Sequence, residues 1–213
     1  MSAIAETVTM SLDELQVTNG AKEAIESGMP YQLRVGVIGT APMLMHGWNI
    51  ASINEKAASA KGSKTKKTDD LESYVYRCDD GSLGFPGVNF AAAIREAGRY
   101  MQDPRSPRKS AMDLCKAGVV PISNIVPFEP ATDRWDYEDA RRVVIQRAGI
   151  TRIRPAMRGG WQLTFDLMIT TPEYLSPQTM AHLISMAGRL NGLGDFRPTF
   201  GRFAVRSFEV VEV

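Results

Sequence analysis

At 213 residues, the chain has room for one large domain or one domain with sizeable insertions. With 44% hydrophobic and 23% charged residues it has the composition of an ordinary soluble globular protein, and no apolar run approaches the ~20 residues of a membrane span. The net charge of +1 argues against a uniformly basic nucleic-acid-binding chain, but the average hides segregation.

Residues 1–30 hold five acids (Glu6, Asp13, Glu14, Glu23, Glu26) against one Lys22. They read as an acidic N-terminal arm, either solvated or docked on the basic surface of a neighbouring copy. Ser11 with Glu14 resembles a capping box, and Asn19-Gly20 would end the short helix it starts. The first residues have neither the basic region nor the apolar core of a signal peptide. Cys78 and Cys115 are far apart with no clustered histidines, which excludes a zinc site and points to free cytosolic thiols. The expected location is therefore the cytoplasm, with no membrane partner.

Tyr31–Ile38 alternates, with Leu33, Val35 and Val37 on one face, and predicts the first core strand. His46 follows. A lone histidine with no carboxylate or second histidine at fixed spacing reads first as structural or binding, and only in the alternative as a general acid or base. Residues 50–70 are small, polar and lysine-rich without apolar periodicity. Lys61, Lys64, Lys66 and Lys67 there form either a solvated loop or a flap that orders on a polyanion. Leu71–Arg77 and Ser82–Phe85 read as short strands around the turn Asp79-Asp-Gly81.

Phe90, Ile94, Ala97 and Met101 recur at helical spacing and predict an amphipathic helix that starts near Pro86-Gly87. Its first turn carries no acid, which leaves its N–H groups open to a phosphate. Arg105, Arg108 and Lys109 add positive charge in the break that follows, where Ser106-Pro107 predicts a short helix running to Gly118. Val119–Phe128 and Arg141–Arg147 read as strands. Ile150–Met157 and Trp161–Thr170 read as a hairpin turning at Arg158-Gly-Gly160.

Residues 141–160 contain six arginines (Arg141, Arg142, Arg147, Arg152, Arg154, Arg158) and no acid. Such a stripe attracts phosphate locally whatever the net charge, since fields act over a Debye length of about 8 Å. Ser176-Pro177 caps a helix through Leu190 with an apolar stripe of Met180, Leu183, Ile184, Ala187 and Leu190. Then comes Gly192-Leu-Gly-Asp-Phe-Arg-Pro-Thr-Phe-Gly-Arg-Phe203, which leads into a closing strand over 202–211. Its glycines permit close backbone approach, Arg197 and Arg202 offer phosphate forks, and Phe196 offers a stacking face. The plainer alternative is a helix cap and a turn.

In order, the strongest elements are strand 31–38, helix 87–101, strands 150–157 and 161–169, helix 177–190 and strand 202–211. This is an α+β fold with a ferredoxin-like or RRM βαββαβ core. Residues 31–213 would form one domain, with insertions at about 40–85 and 102–147.

Two stretches, Pro86-Gly-Val-Asn-Phe-Ala-Ala-Ala-Ile-Arg95 and Phe200-Gly-Arg-Phe203, in that order and separation, resemble the RAMP superfamily of CRISPR-associated proteins. The likeness is to the backbone subunit that polymerises along guide RNA, or to a small phage-encoded relative. It spans the RRM-like core, about half of the chain. The chain departs from the family in its shorter length and in Asp195 and Pro198, where the family tends to glycine. The resemblance implies a non-enzymatic single-strand-binding protein, RNA favoured, that oligomerises along the strand and has other CRISPR effector subunits as possible partners.

Arg152, Arg154, Arg158, Arg197, Arg202 and the flap lysines would neutralise phosphates, and Trp161, Trp48 or Phe196 would stack on bases. Three alternatives stay open: a phage protein that binds or anneals single-stranded DNA, a metal-independent endoribonuclease using His46, and an inhibitor that mimics a backbone subunit. No cofactor or metal is expected, because no phosphate-binding loop, metalloprotease motif or nucleophile elbow occurs.

Overall fold

The computed structural model describes residues 16–17, 28–47, 70–145 and 148–211. Trp48, Lys61, Lys64, Lys66, Lys67, Arg147 and the Ser11–Glu14 capping box lie outside them.

The centre is a five-stranded sheet of β1 (Gln16–Val17), β2 (Tyr31–Gly39), β8 (Val119–Pro121), β12 (Gln162–Ile169) and β13 (Phe203–Val211), in the order β1-β13-β2-β12-β8. β1 runs parallel to β13, and the other neighbours are antiparallel. The alternation of β2 places Leu33, Val35 and Val37 on one face, where each is fully buried. Leu163, Phe165 and Leu167 of β12 join them in register.

Two helices cover this face. α1 (Gly87–Ala97) buries Phe90, Ile94 and Ala97. Phe90 stacks on Phe165 with centroids 4.2 Å apart. Burying each such ring is worth about 2–3 kcal/mol. The third helix, α3 (Pro177–Met186), starts where Ser176 Oγ accepts from Thr179 N at 3.2 Å with Pro177 in the first turn.

Along the chain, β2, α1, β8, β12, α3 and β13 make βαββαβ, with the fourth core strand beside the first and the third beside the second. The core is ferredoxin-like, but its second strand is not 150–157. That role falls to the three residues Val119–Pro121, which pair with Leu167–Ile169. Residues 150–157 belong to β11 (Ala148–Met157), which pairs with β10 (Tyr137–Ile145) and β3 (Met43–Leu44) in a separate sheet. The expected 150–157/161–169 hairpin is therefore absent. At Gly159-Gly160 the chain crosses between sheets, and Gly160 N and Gly39 N bond to Gly39 O and Trp161 O at 2.8 and 2.7 Å.

Other local expectations also shift. Ser106–Ser110 is a strand, β7, paired with β6 (Gln102–Asp103), so the helix there, α2 (Met112–Gly118), starts six residues after Ser106. Val119–Phe128 splits into β8 and β9 (Ile125–Pro127). Of Leu71–Arg77 only β4 (Tyr76–Arg77) is strand, and with β5 (Leu83–Pro86) and β9 it forms a third sheet. The longest segments between core elements are 40–86, 98–118 and 122–161.

Candidate nucleic-acid interface

The glycine-rich loop is built by the backbone around it. α3 runs on through a π-helical turn, Ala187–Asn191, whose Asn191 side chain donates to Ala93 O of α1 at 2.9 Å. Within the loop Leu193 N donates to Gly201 O at 2.8 Å, and the loop is stitched outward by Gly201 N to Pro42 O (2.7 Å) and Asp195 N to Leu44 O (2.8 Å). A Cβ on Gly201 would stand 1.7 Å from Leu193 O, and φ there is 73°. A Cβ on Gly194 would meet Leu44 O at 2.4 Å. These glycines let the loop pack on its own protein rather than on a ligand. Phe196, at φ 56°, is the single described non-glycine residue with positive φ, and it turns its ring toward β10–β11.

The base of the β10–β11 hairpin faces this loop. Its register sets Asp139 opposite Arg154 and Arg141 opposite Arg152 on one face. The Arg154 guanidinium lies 4.6 Å from the Phe196 ring centre, and that of Arg141 lies 4.4 Å from Phe200. Asp139 grips Arg141 with two bonds of 2.5 and 3.0 Å. Arg158 stands 5.2 Å from the Tyr137 ring. Each stacked pair is worth about 0.5–2 kcal/mol depending on desolvation.

Asp195 ties three distant segments together. Its Oδ2 accepts from Arg154 Nε at 2.5 Å and meets His46 Nδ1 at 3.3 Å, and its Oδ1 accepts from Phe196 N at 2.9 Å. The His46 bond, helped by the Phe196 amide and Arg154, holds the carboxyl far below the usual carboxylate range against the opposing effect of burial. An ionised carboxylate only accepts, so this contact places a proton on His46 Nδ1, and in the neutral tautomer it selects, Nε2 is an acceptor. Arg154 is 6% exposed, and its Nη1 has no hydrogen-bond partner among the described residues.

Two cavities flank Gly194-Asp195. One, of about 710 Å³, runs along the outer face of α1 and is lined by Arg95, Arg99, Tyr100, Asn191, Phe196 and Arg197 among others. The other, of about 290 Å³, lies between His46, Tyr76, Phe85, Asn89 and Asp195.

The structure thus gathers Arg141, Arg152, Arg154, Phe196, Arg197 and Arg202 around one loop, with Arg158 at the foot of the hairpin and exposed Arg142 on its opposite face. Arg202 Nε donates to Pro198 O at 2.8 Å. Arg105, Arg108 and Lys109 are exposed but sit elsewhere. Arg105 is forked on Asp103 and lies against Tyr174, near the Ile169 end of β12, whereas the loop bonds near the opposite end of the sheet, at Thr40 and Pro42.

Trp161 does not offer a stacking face. It is 5% exposed, packs over Gly39 and donates from Nε1 to Ala41 O at 2.8 Å. Nor does the open face of the central sheet serve as an RRM-type platform. Its outward residues on β2 and β12 (Gln32, Arg34, Ile38, Gln162, Thr164, Asp166, Met168) include no aromatic, and Arg34 is paired with Asp166 at 2.9 Å.

Sequence reasoning passed over Arg95 and Arg99. Their i, i+4 spacing, with Arg95 in α1 and Arg99 in the 3-10 turn that follows it, was the available signal. Asp195 was read only as a departure from glycine.

No family model matches the sequence, and no curated protein matches it. Among solved structures, the chain is similar to one chain in the cryo-EM structure of the Type III-B Cmr-beta bound to cognate target RNA. Identity is 10% and the TM-score 0.49, over 91% of this chain. The chain spans 65% of the length of that neighbour. No described helix is long and apolar enough to cross a membrane.

Proposed function

We propose that the protein binds single-stranded nucleic acid, RNA in preference, along the groove between α1 and the glycine-rich loop and across the base of the β10–β11 hairpin. One observation carries this reading: guanidinium and phenyl faces stack beside a groove whose cations outnumber its carboxylates. Arg95 and Arg99 share Glu96, while Arg158, Arg197 and Arg202 form no ion pair among the described residues. Half-buried Phe196 and Tyr137 are the rings on which unpaired bases stack, and arginines without an ion pair neutralise phosphates. The preference for RNA rests on the likeness of the Pro86–Arg95 and Phe200–Phe203 motifs to the RAMP proteins. So does assembly of several copies, or of other effector subunits, along one strand.

Purification without nuclease tests this directly. The reading expects a large assembly with raised A260/A280 that RNase collapses. DNase-sensitive material would favour annealing of DNA strands instead. A nucleic-acid-free protein that also fails to bind added single strands would overturn it. A second reading, endoribonuclease, is favoured by the His46–Asp195 pair, which fixes the tautomer of a general base. RNA cleavage that survives His46→Ala would end it.

A further inference from the structure

We propose that the 290 Å³ cavity under His46 seats one guanine base of the bound strand, so that binding is guanine-selective at one position per protomer. This rests on the strand-binding reading and adds a base-reading subsite to it.

The size comes first. The cavity is at the lower limit of about 300 Å³ for small-ligand pockets. It suits a single ring system rather than a whole nucleotide. It also shares Gly194 and Asp195 with the larger groove, so a base can enter from a backbone that stays in that groove. Met45 and Phe85 give it apolar walls, each no more than 2% exposed.

The hydrogen-bonding pattern comes next. Both acceptor sites of Asp195 Oδ2 are engaged by Arg154 and His46, while among the described residues Oδ1 accepts only from Phe196 N, which leaves it one further site. His46 Nε2 and the Asn89 side chain have no hydrogen-bond partner among the described residues. The pocket thus presents two acceptors and one amide. Guanine is the base whose pairing edge carries two adjacent donors, N1–H and the N2 amine, next to an acceptor, O6, that an amide N–H can serve. Adenine and cytosine each place a bare ring nitrogen where the second donor is needed. Uracil has one donor between two carbonyls. A seated base covers these partly exposed acceptors, and leaving one unpaired beneath it is the cost that gives such a site its selectivity.

Fluorescence anisotropy with a labelled ten-residue oligouridine, and with the same strand carrying one central guanosine, inosine or adenosine, tests the subsite. The guanosine strand is expected to bind about tenfold tighter than oligouridine, inosine (which lacks the N2 amine) to keep only part of that gain, and adenosine none. Asn89→Ala should remove most of the guanosine gain and leave oligouridine affinity unchanged, with a thermal melt checking the fold. Equal affinity for all four strands overturns the guanine seat and leaves the strand reading standing. Failure of every strand to bind overturns the strand reading and the seat with it. Binding of guanosine monophosphate alone, with no strand bound, overturns the seat as a reader of strands.

Discussion

The open face of the central sheet and the face made by the glycine-rich loop with the β10–β11 hairpin are both rich in arginine, yet they are different objects. On the sheet, Arg34 is paired with Asp166 and Arg206 with Glu129, while Thr164 also bonds Glu129. No aromatic ring interrupts the β2 and β12 rows there. On the loop side Arg141 and Arg154 are also paired, with Asp139 and Asp195, but arginines there stack on Phe196, Phe200 and Tyr137, and Arg158, Arg197 and Arg202 form no ion pair among the described residues. Counting charges would rank the two faces alike. What separates them is whether each cation is already neutralised by its own surface and whether flat faces lie beside it.

The largest contrast should come from breaking the ion pairs themselves. Asp195→Ala leaves Arg154 buried without its carboxylate and should lower stability by about 3 kcal/mol in chemical denaturation. Asp166→Ala, facing an Arg34 that is half exposed, should change it by less than about 1 kcal/mol. Equal losses would erase the distinction between the faces. Gly201→Ala comes next. Its Cβ would collide with Leu193 O, so stability should fall by more than about 1 kcal/mol and strand binding should fall with it, as read by melting and anisotropy.

Charge reversal sharpens the comparison in binding. Arg197→Glu should flatten the dependence of log affinity on log salt by about 0.7 for each phosphate that the side chain no longer neutralises, whereas Arg206→Glu should leave the slope alone.

Smaller effects concern groups away from both faces. The Arg105 fork on Asp103 pulls its carboxyl down to about 2. A carboxyl whose folded value lies below its unfolded value stabilises the fold above about pH 4, and this contribution is lost as pH falls toward 2. Asp103→Asn should therefore reduce the steepness of acid unfolding in that window. The smallest effect is chemical. Burial pushes the Cys115 thiol up to about 11, so a thiol reagent at pH 8 should label half-buried Cys78 well before Cys115.

Strong local periodicity made much of this fold legible. The alternation of 31–38 and the stripes of Phe90–Ala97 and Met180–Ala187 became β2, α1 and α3, because each pattern buries one face whatever its partner. Partner choice was not legible. Arg158-Gly-Gly160 has the composition of a hairpin turn, whereas Gln146-Arg147, between the strands that do pair, carries no turn signature. Three-residue β8, ending in Pro121, is too short to show alternation.

The site was legible in pieces. Arg154, Phe196 and Arg197 stood out by residue type. Their meeting with His46 depends on residues 46, 154 and 195 converging through the fold, which no spacing along the chain encodes. Trp161 misled because a large aromatic beside glycines looks like a platform, while here the space over Gly39 is what it fills.

The most direct test of the central claim is photo-crosslinking of a 4-thiouridine-containing RNA strand to the protein, mapped by mass spectrometry. The account predicts crosslinks in 95–100, 137–158 and 195–202. Crosslinks confined to the open sheet face, in 32–38, 162–168 and 204–209, would contradict it.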